Sequence, residues 1–542
     1  MINSPQEGLS PLGSPCRAAM RSLERLALRV VRALDSASHR LLGWRYNPLH
    51  QSGAIAVALL ALLIITGLYL LIIYRVSAPW ESVARLQGDP WLGRWIRGVH
   101  RYASDALVLA VGAHILRMFA QARSWGPRTL AWTSGVILLL LLFTSGWTGF
   151  VMVWDTFGVQ LASAGARLLD VLPIFSEPIA RTFAGDRPVP SAFFFLNLFL
   201  HVALPLGAGA GIWLHVSRIA RPALLPPRPL LWGMTGALVA LALLVPAPLP
   251  PQADPFLVPA TIPLNLFYAF WLPLADRLPV WWAWGGAIAT FTLALLVPRL
   301  TRRPREGSWA PSVVDPRLCT GCNQCPQDCP WEAITMRERD DGRPTLVAHV
   351  DPVLCVSCGI CAGSCAPMGV GPVHRTGRDQ LVDIRALARD VLDVTALPQV
   401  LAICCENAAP PQLDLLRREG AVIHPVPCSG NLHTSVVELA LRGGAAGVIV
   451  FSCPPRDCRG REGPTWLEAR LFHEREAELQ ARVDRRRVRA ATMVVGDGAA
   501  TVSEFRRFRE SLVPLGVLSP DELGDADAIC DPVLPASTRG RS

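Results

Sequence analysis

The chain of 542 residues contains no lysine, so arginine alone supplies the basic side chains behind its net charge of +9. This absence excludes catalysis through a lysine Schiff base. The sequence also lacks a nucleophile–base constellation, a phosphate-binding glycine loop and a nicotinamide fingerprint, because GDGAAT near residue 496 is too weak to count as one. No nucleic-acid motif accompanies the basic charge, so no nucleic-acid partner is expected. No signal peptide is evident, since the first apolar run begins near residue 52.

Apolar residues and cysteines are concentrated in different parts of the chain. Residues 46–300 are mostly apolar, and 17 tryptophans suit a membrane protein with aromatic belts at its interfaces. Of the 15 cysteines, all but Cys16 and Cys530 lie between residues 319 and 458 in tight clusters. Such clusters are typical of metal ligands rather than of a secreted disulfide framework, so this half of the chain is expected to face the reducing cytoplasm.

Six membrane spans are predicted, each near the length that crosses a hydrocarbon core. They cover roughly residues 52–74, 97–120, 130–153, 193–217, 230–247 and 279–298. Arginines flank the ends of the spans that would lie inside, although arginines in the first outer loop reduce the difference in positive charge between the two sides of the membrane. Both termini and the cysteine-rich half are therefore expected in the cytoplasm. Residues 1–45 are predicted to form a basic amphipathic segment, which either lies on the cytoplasmic membrane face or packs on a partner.

Two of the predicted spans each carry two histidines at an interval of 14, His100 with His114 and His201 with His215. This interval advances a helix by about four turns and roughly 21 Å, so both histidines of a pair project from nearly the same face. A lone histidine in an apolar run is usually a helix-contact residue, but four at one repeated interval are hard to obtain that way. Two such helices side by side predict two stacked bis-imidazole sites, for which haem iron is the natural occupant.

Glycines repeat the same interval in the first and third predicted spans, as Gly53 with Gly67 and Gly135 with Gly149. A glycine lets a flat ligand or a neighbouring backbone approach closely. Ordinary small-residue helix packing remains an alternative for any one of them. The shared interval favours haem faces that lie against these helices.

Residues 44–217 resemble cytochrome b of the respiratory bc complexes, and the plastid-type cytochrome b most of all. The resemblance is carried by WIRGVHRYASDALVLAVGAHILR, WTSGVILLLLLFTSGWTGFVMVWD and HVALP. It implies one haem between His100 and His201 near the outer face and a second between His114 and His215 near the cytoplasmic face.

Arg97 and Arg117 match family positions that hold haem propionates, a task that suits the two-nitrogen fork of the arginine guanidinium.

The sequence departs from the family pattern in two places. Pro263-Leu264-Asn265-Leu266 stands where the family carries Pro-Glu-Trp-Tyr at its quinol-oxidation site, so the carboxylate that accepts a quinol proton is missing. The cysteine that tethers an extra haem in the plastid type is also missing near Gln51, so two b haems and no third are expected.

After a charged linker at 301–312, residues 313–373 carry the motif CxxCxxCxxxCP and its repeat. Three thiolates on one tight loop suit an iron–sulfur cubane, whereas structural zinc prefers CxxC pairs. The region resembles bacterial two-cluster ferredoxins, in which the fourth cysteine crosses over. The resemblance implies one 4Fe–4S cluster on Cys319, Cys322, Cys325 and Cys365 and another on Cys355, Cys358, Cys361 and Cys329.

A connector is predicted at 374–396, a small doubly wound α/β domain at 397–518 and an uninformative tail at 519–542. Predicted strands at 398–403, 421–426, 446–452 and 491–495 alternate with helices near 410–419, 432–443, 464–482 and 500–513. Five cysteines follow strand ends, where ligands collect in such sheets. Scattered buried cysteines are the alternative to a metal site at this edge.

This domain resembles the delta subunit of methyl-viologen-reducing hydrogenases and of complexes linked to heterodisulfide reductase. ICC, PCSG and SCPPRDC carry the resemblance, which implies a 2Fe–2S cluster. A further family cysteine is replaced near Ala408 or Ala409. The expected ligands are Cys405, Cys428, Cys453 and Cys458, with Cys404 as the alternative to Cys405.

The predicted fold is thus multi-domain: an all-α transmembrane cytochrome b bundle of six spans, a two-cluster ferredoxin α+β domain and a small α/β doubly wound domain. The predicted function is that of a membrane electron-transfer subunit of a quinone-linked oxidoreductase, in the cytoplasmic membrane of a bacterium or archaeon. It would connect a cytoplasmic flavoprotein or dehydrogenase, similar to heterodisulfide reductase, hydrogenase or formate dehydrogenase, to the quinone pool. Substrate oxidation would reside on another chain.

The cofactors expected are two b haems, two 4Fe–4S clusters and one 2Fe–2S cluster, with quinone as substrate. Membrane lipid surrounds the spans, and a homodimer is implied only by the cytochrome b resemblance. One alternative function is a transmembrane conduit without its own quinone site, which delivers electrons to an extracytoplasmic partner. Another is a membrane anchor or transporter whose histidines bind no haem.

Overall fold

The apolar first half of the chain forms helices, because a segment in hydrocarbon must satisfy its own backbone hydrogen bonds. The computed structural model describes residues 14–172, 177–183, 189–217, 219–254, 265–303, 310–391, 399–408, 412–475 and 477–516. The chain divides into two units. The membrane unit comprises residues 1–31, 46–217 and 222–302, and the cysteine unit comprises residues 32–45, 218–221 and 303–542.

Helix α1 (Ser14–Leu42) is the basic amphipathic segment predicted at the N-terminus. Its C-terminal part belongs to the cysteine unit, where His39 Nε2 lies 2.8 Å from Asp497 Oδ2. Ser36 of the same helix lies against Gly496. This end of α1 therefore packs on the C-terminal domain.

Five helices in the described part of the chain are long and apolar enough to cross a membrane. They are α2 (Ser52–Ile73), α4 (Gly93–Ala120), α5 (Thr129–Val153), α7 (Ser191–Val216) and α10 (Val280–Leu300). The span predicted at 230–247 corresponds to α8 (Arg228–Leu244), which has only 17 residues. The membrane unit is thus a multi-pass helical bundle, while its sixth crossing stays a prediction.

The long helices associate in pairs, α2 with α4 and α5 with α7. The first pair buries Leu59 of α2 against Ala103 and Leu107 of α4. Three short helices, α3 (Pro79–Gly88), α6 (Thr156–Leu169) and α9 (Leu272–Arg277), lie in the connections. Asp155 caps α6, since its Oδ1 accepts hydrogen bonds from the backbone N–H groups of Phe157 and Gly158.

The first domain of the cysteine unit is built from two similar halves. Strand β1 (Ser312–Val314) pairs antiparallel with β4 (Val370–Pro372), and β2 (Ile334–Arg337) pairs with β3 (Val347–Val350). Helix α11 (Gln324–Asp328) and strand β2 recur 36 residues later as α12 (Ile360–Ser364) and β4. The predicted α+β ferredoxin arrangement is present.

The second domain of the cysteine unit has a four-stranded parallel sheet in the order β6-β5-β7-β8. Its strands are β5 (Val400–Cys405), β6 (Val422–Val426), β7 (Gly447–Ser452) and β8 (Val488–Thr492). Its helices are α13 (Gly377–Val391), α14 (Leu413–Arg418), α15 (Thr434–Arg442), α16 (Gly463–Phe472) and α17 (Gly498–Leu512).

Alternate strand residues enter two separate cores, one on each face of the sheet. Leu401 and Ile403 pack with residues of α13, α15 and α16, whereas Val400 and Ala402 pack with residues of α14 and α17. The sheet is therefore covered on both faces, as a doubly wound fold requires.

Three boundaries in this domain differ from the predicted ones. The predicted connector at 374–396 contains α13, whose Leu381 and Ile384 lie in the core of the domain. The predicted helix at 464–482 ends at Phe472, and the last strand starts at Val488 rather than at residue 491. In α13, Leu381, Ile384, Leu387 and Ala388 recur at helical spacing and pack in or against this core, so the sequence carries a helix signal there.

Candidate functional site: paired histidines and grouped cysteines

The four histidines of α4 and α7 face each other in two pairs. The ring centroids of His100 and His201 are 6.3 Å apart, and those of His114 and His215 are also 6.3 Å apart. Two metal–imidazole bonds of about 2 Å each and two ring radii of roughly 1 Å add to about 6 Å. Each pair thus has the spacing that a single iron between two imidazoles requires.

Each histidine Nδ1 lies near a hydroxyl of the neighbouring helix. The pairs are Thr66 with His100 at 2.9 Å, Ser52 with His114 at 3.5 Å, Ser134 with His215 at 3.1 Å and Thr148 with His201 at 3.3 Å. Sequence reasoning missed these four residues. A signal was present, because each hydroxyl residue directly precedes one of the four glycines that repeat at an interval of 14.

The hydroxyls also determine which ring nitrogen is free. Thr66, Ser134 and Thr148 donate their own hydrogen to a backbone carbonyl of the preceding turn. Their oxygens therefore accept from the imidazole, which places the proton on Nδ1 and leaves the lone pair on Nε2. A second contact gives the same assignment at His201, whose Nδ1 lies 2.8 Å from the Ser145 carbonyl oxygen. Nε2 is then the nitrogen available to a metal.

The four repeated glycines lie against the histidine rings. A Cβ added at these glycines would lie 3.1 Å from His114 at Gly53, 3.3 Å from His100 at Gly67, 3.1 Å from His215 at Gly135 and 2.8 Å from His201 at Gly149. The small residue that repeats in the sequence thus corresponds to close approach of an imidazole to a helix backbone. The glycines make room for the proposed axial ligands themselves.

Arg97 and Arg117 flank the histidines on α4. The Arg97 guanidinium donates to Gln87 Oε1 at 2.6 Å and to the carbonyl oxygens of Ala247 and Pro248 at 2.8 and 2.9 Å. Arg117 is buried in the membrane unit. Their role towards haem propionates stays a prediction. Pro263 and Leu264, which replace the family's quinol-site motif, lie outside the described residues.

The first predicted cysteine set lines one cavity. Its walls include Cys319, Cys322, Cys325, Cys365, Val314 and Met336. The Gly369 N–H donates to Cys365 Sγ at 3.2 Å. Burial and three neighbouring cysteines raise the pKa of the Cys325 thiol, so a cation is needed to hold it as a thiolate. The crossed-over grouping of Cys365 with the first motif is thus the one that the fold brings together.

Two members of the second set, Cys355 and Cys361, lie beside Ser312. The Ser312 N–H donates to Cys355 Sγ at 3.4 Å, and Ser312 Oγ lies 3.3 Å from Cys361 Sγ. Burial, with the neighbouring Cys329 as the next cause, raises the pKa of Cys358. Cys329 Sγ also accepts from the Ala333 N–H at 3.4 Å. These residues fit a thiolate-bound iron cluster, since their sulfurs are close and backbone N–H groups point at them.

The third set lies at the carboxyl ends of β5, β6 and β7, as predicted. Cys405 Sγ is 3.4 Å from Cys453 Sγ, and a Cβ at Gly463 would lie 2.7 Å from Cys428 Sγ and 3.4 Å from Cys458 Sγ. These four sulfurs are therefore close together and fit a metal site.

Cys404 does not join this set. It is fully buried, and its Sγ–H points to the carbonyl oxygen of Ala402 at 3.6 Å. Adjacent residues on a strand project to opposite faces, so Cys404 and Cys405 cannot both reach the edge site. The alternative ligand Cys404 is thus not favoured by the geometry.

The fold defines a helical bundle with helices of membrane-crossing length and paired histidines, followed by a ferredoxin-like domain and an α/β domain with its own cysteine set. Comparison with known families agrees with each part. Residues 43–221 match the family model described as Cytochrome b/b6/petB, residues 318–369 the 4Fe-4S dicluster domain, and residues 400–516 the Methyl-viologen-reducing hydrogenase, delta subunit. The three resemblances predicted from sequence are confirmed in the predicted order. A cytochrome b region implies haem b, and a dicluster domain implies 4Fe–4S clusters.

Individual relatives match the membrane unit. A protein described as "Menaquinol:cytochrome c reductase cytochrome b subunit" of Geobacillus thermodenitrificans is 27% identical over 186 residues, which are 32% of this chain and 83% of the relative. Its counterpart in Bacillus subtilis (strain 168) is 24% identical with the same coverage. Among solved structures, a chain of "Hyperthermophilic respiratory Complex III" shares 19% identity at a TM-score of 0.36, covering 46% of this chain and 75% of that chain.

Proposed function

We propose that this chain is the membrane electron-transfer subunit of a quinone-linked oxidoreductase. In this proposal, electrons pass between a cytoplasmic flavoprotein or dehydrogenase and the quinone pool through iron–sulfur clusters and two b haems. Substrate oxidation takes place on the partner chain. Both termini and the cysteine unit lie on the cytoplasmic side.

One observation carries the proposal: two histidine pairs at one ring spacing, each histidine oriented by a hydroxyl on the neighbouring helix. A protein that used these histidines only for helix packing would have no need for the same second contact four times. Bound haem supplies reversible one-electron chemistry at these sites. The protein's own groups keep the proton on Nδ1, leave Nε2 available to a haem iron that the two imidazoles would hold, and surround the rings with apolar helices.

The cysteine unit supports a soluble electron partner. Cys319, Cys322, Cys325 and Cys365 would hold one 4Fe–4S cluster, and Cys329, Cys355, Cys358 and Cys361 the other. Cys405, Cys428, Cys453 and Cys458 would hold a 2Fe–2S cluster. The likeness of residues 400–516 to the delta subunit of a methyl-viologen-reducing hydrogenase favours a partner of the hydrogenase or heterodisulfide-reductase type.

Quinone enters the proposal through the relatives, which are named as menaquinol:cytochrome c reductase subunits. The outer quinol-oxidation motif of the family is replaced here by Pro263-Leu264, which removes the proton-accepting carboxylate. A quinone site on the cytoplasmic side near His215 is therefore the proposed position. Reduction of quinone by the partner is the proposed direction.

An anaerobic optical titration tests the proposal. The purified protein receives a short-chain quinol analogue and then dithionite, while the α-band of the b haems is followed. We expect reduction by quinol that a quinone-site inhibitor blocks. Absence of a b-type band with both reagents would refute the haem assignment.

A second candidate function is a transmembrane conduit that passes electrons to an extracytoplasmic protein without quinone chemistry. The specific observation in its favour is the missing glutamate at Leu264. In the same titration it predicts haem reduction by dithionite alone.

A further inference from the structure

The two domains of the cysteine unit bring ligands of two different cysteine sets together at Gly460. A Cβ at this glycine would lie 3.3 Å from Cys428 Sγ and 3.4 Å from Cys358 Cβ. Cys358 belongs to the second ferredoxin set, and Cys428 belongs to the set at the edge of the parallel sheet. The loop that carries Gly460 therefore separates the two sets by little more than its own backbone.

A buried arginine joins the loops that carry these two sets. Arg470 on α16 is fully buried. Its Nη2 donates to the Gly430 carbonyl oxygen at 2.7 Å, and its Nη1 donates to Ser364 Oγ at 3.2 Å and to the Ile360 carbonyl oxygen at 3.4 Å. Gly430 follows Cys428, while Ile360 and Ser364 flank Cys361 and precede Cys365. One guanidinium thus spans from the sheet-edge loop to the second ferredoxin motif.

Burial of Arg470 costs free energy, which a purely structural cross-link between the two loops would not require. The Arg470 Nε–H has no acceptor among the described residues, which leaves a buried donor unsatisfied. The neighbouring carboxylate, Asp328, is already paired with Arg475 and accepts from Ser364 Oγ at 2.6 Å. Burial lowers the pKa of Arg470 to about 10, which still leaves it charged at neutral pH. Cys361 and Cys428, one from each set, are among the groups that act on this charge.

We propose that Arg470 is a positioning residue whose buried positive charge raises the reduction potential of both adjacent clusters and holds their loops in register for electron exchange. This inference rests on the cluster assignments of the proposed function. A cluster gains one negative charge when it accepts an electron, and a fixed cation in a low-dielectric surrounding stabilises that added charge. With both clusters bound, the exchange would move one electron from one cluster to the other, and Arg470 would give up no electron or proton.

Redox titration of the full-length, cluster-loaded protein, followed by electron paramagnetic resonance, tests the proposal. In Arg470→Gln we expect the one-electron reduction of both clusters to become about tenfold less favourable, a fall of about 59 mV in midpoint potential. Arg470→Lys, which keeps the charge, should restore most of the shift. The cluster held by Cys319, Cys322 and Cys325 should respond least.

Arg487→Gln is the matched control. Arg487 is equally a buried arginine of this domain, but it donates to the carbonyl oxygens of Ala446, Leu515 and Gly516. Its loss should reduce stability without moving either potential. Unchanged potentials in Arg470→Gln, with both clusters present at full iron content, would overturn the inference and leave the proposed function intact.

Asp328→Asn provides a test of opposite sign, should Arg470→Gln fail to fold. Asparagine can still accept from Ser364, but the negative charge beside Arg470 is removed. Both potentials should rise, and a fall or no change would overturn the inference. Iron content and the resonance signals of the wild-type protein report separately on the cluster assignments, so failure of the proposed function would be recognised as such.

Discussion

The two units orient their proposed metal ligands by different means. In the membrane unit, each histidine Nδ1 meets a serine or threonine hydroxyl of the next helix, as Thr66 meets His100. In the cysteine unit, backbone N–H groups point at the sulfurs, as those of Gly369 and Ala333 do. The difference follows from the backbone: a membrane helix uses its N–H groups within itself, whereas the tight cysteine loops leave some of theirs free.

The comparison indicates in which unit a substitution can remove a group that orients a proposed ligand. A hydroxyl can be removed from the membrane unit by an isosteric exchange, while a backbone donor in the cysteine unit cannot. The ligands themselves remain the most sensitive positions in both units. The predictions below run from the largest expected effect to the smallest.

Exchange of a ligand in the cysteine unit should abolish one cluster. In Cys405→Ala the third iron–sulfur signal should disappear, because Cys405 lies within 3.4 Å of Cys453 at the sheet edge. The adjacent Cys404→Ala is the matched control and should keep the signal, since Cys404 points into the core. Iron content and electron paramagnetic resonance measure the outcome. Loss of the cluster in Cys404→Ala instead would show that the chosen ligand is wrong.

Exchange of a ligand in the membrane unit should halve the haem content. His201→Ala removes one of the two imidazoles that face each other 6.3 Å apart, so its haem should be lost while the pair His114 and His215 keeps the other. The pyridine haemochrome assay counts haem per chain. His349→Ala, on β3, should change nothing. Full haem content in His201→Ala would contradict the assigned pairing.

A larger side chain beside a proposed haem ligand should lower the haem content nearly as much as loss of the ligand itself. The Cβ of Gly149→Val would lie 2.8 Å from His201 Cε1, so the ring must move away from its partner. We expect loss of the same haem as in His201→Ala. Gly286→Val on α10 is the control, because nothing lies within 4 Å of a Cβ there. Equal haem loss in both variants would point to helix packing rather than to ligand position.

Removing a single hydroxyl should have the smallest effect. Thr66→Val keeps the shape but leaves the Nδ1–H of His100 without its acceptor, and second contacts of this kind are worth about 10–100-fold in metal affinity. Haem should still be present after purification but exchange faster into an excess of apomyoglobin. Thr144→Val is the control, since Thr144 Oγ1 donates only to the Leu140 carbonyl oxygen of its own helix. Identical haem exchange rates in Thr66→Val and Thr144→Val would contradict an orienting role for the Thr66 hydroxyl.

The pairing of the histidines and the grouping of the cysteines could be predicted from sequence, because both residue types are rare and their intervals are periodic. The hydroxyls left only a weak signal, their position directly before the repeated glycines, because a serine or threonine in an apolar helix usually bonds to a carbonyl of its own turn, as Thr66 also does. Arg470 gave no signal, because its partners Ile360 and Gly430 are distant in sequence. Helix α13 carries a helix signal in the sequence, because Leu381, Ile384, Leu387 and Ala388 recur at helical spacing, and the structure therefore differs from the connector predicted at 374–396.

The central claim is that two pairs of histidines each hold one haem, and low-temperature electron paramagnetic resonance of the oxidised protein tests it most directly. An iron with two imidazole ligands is low-spin, so we predict two low-spin ferric haem signals per chain, one of which is lost in His201→Ala. A high-spin signal at full haem content would contradict the account, because it would mean that the facing histidines do not both bind the iron.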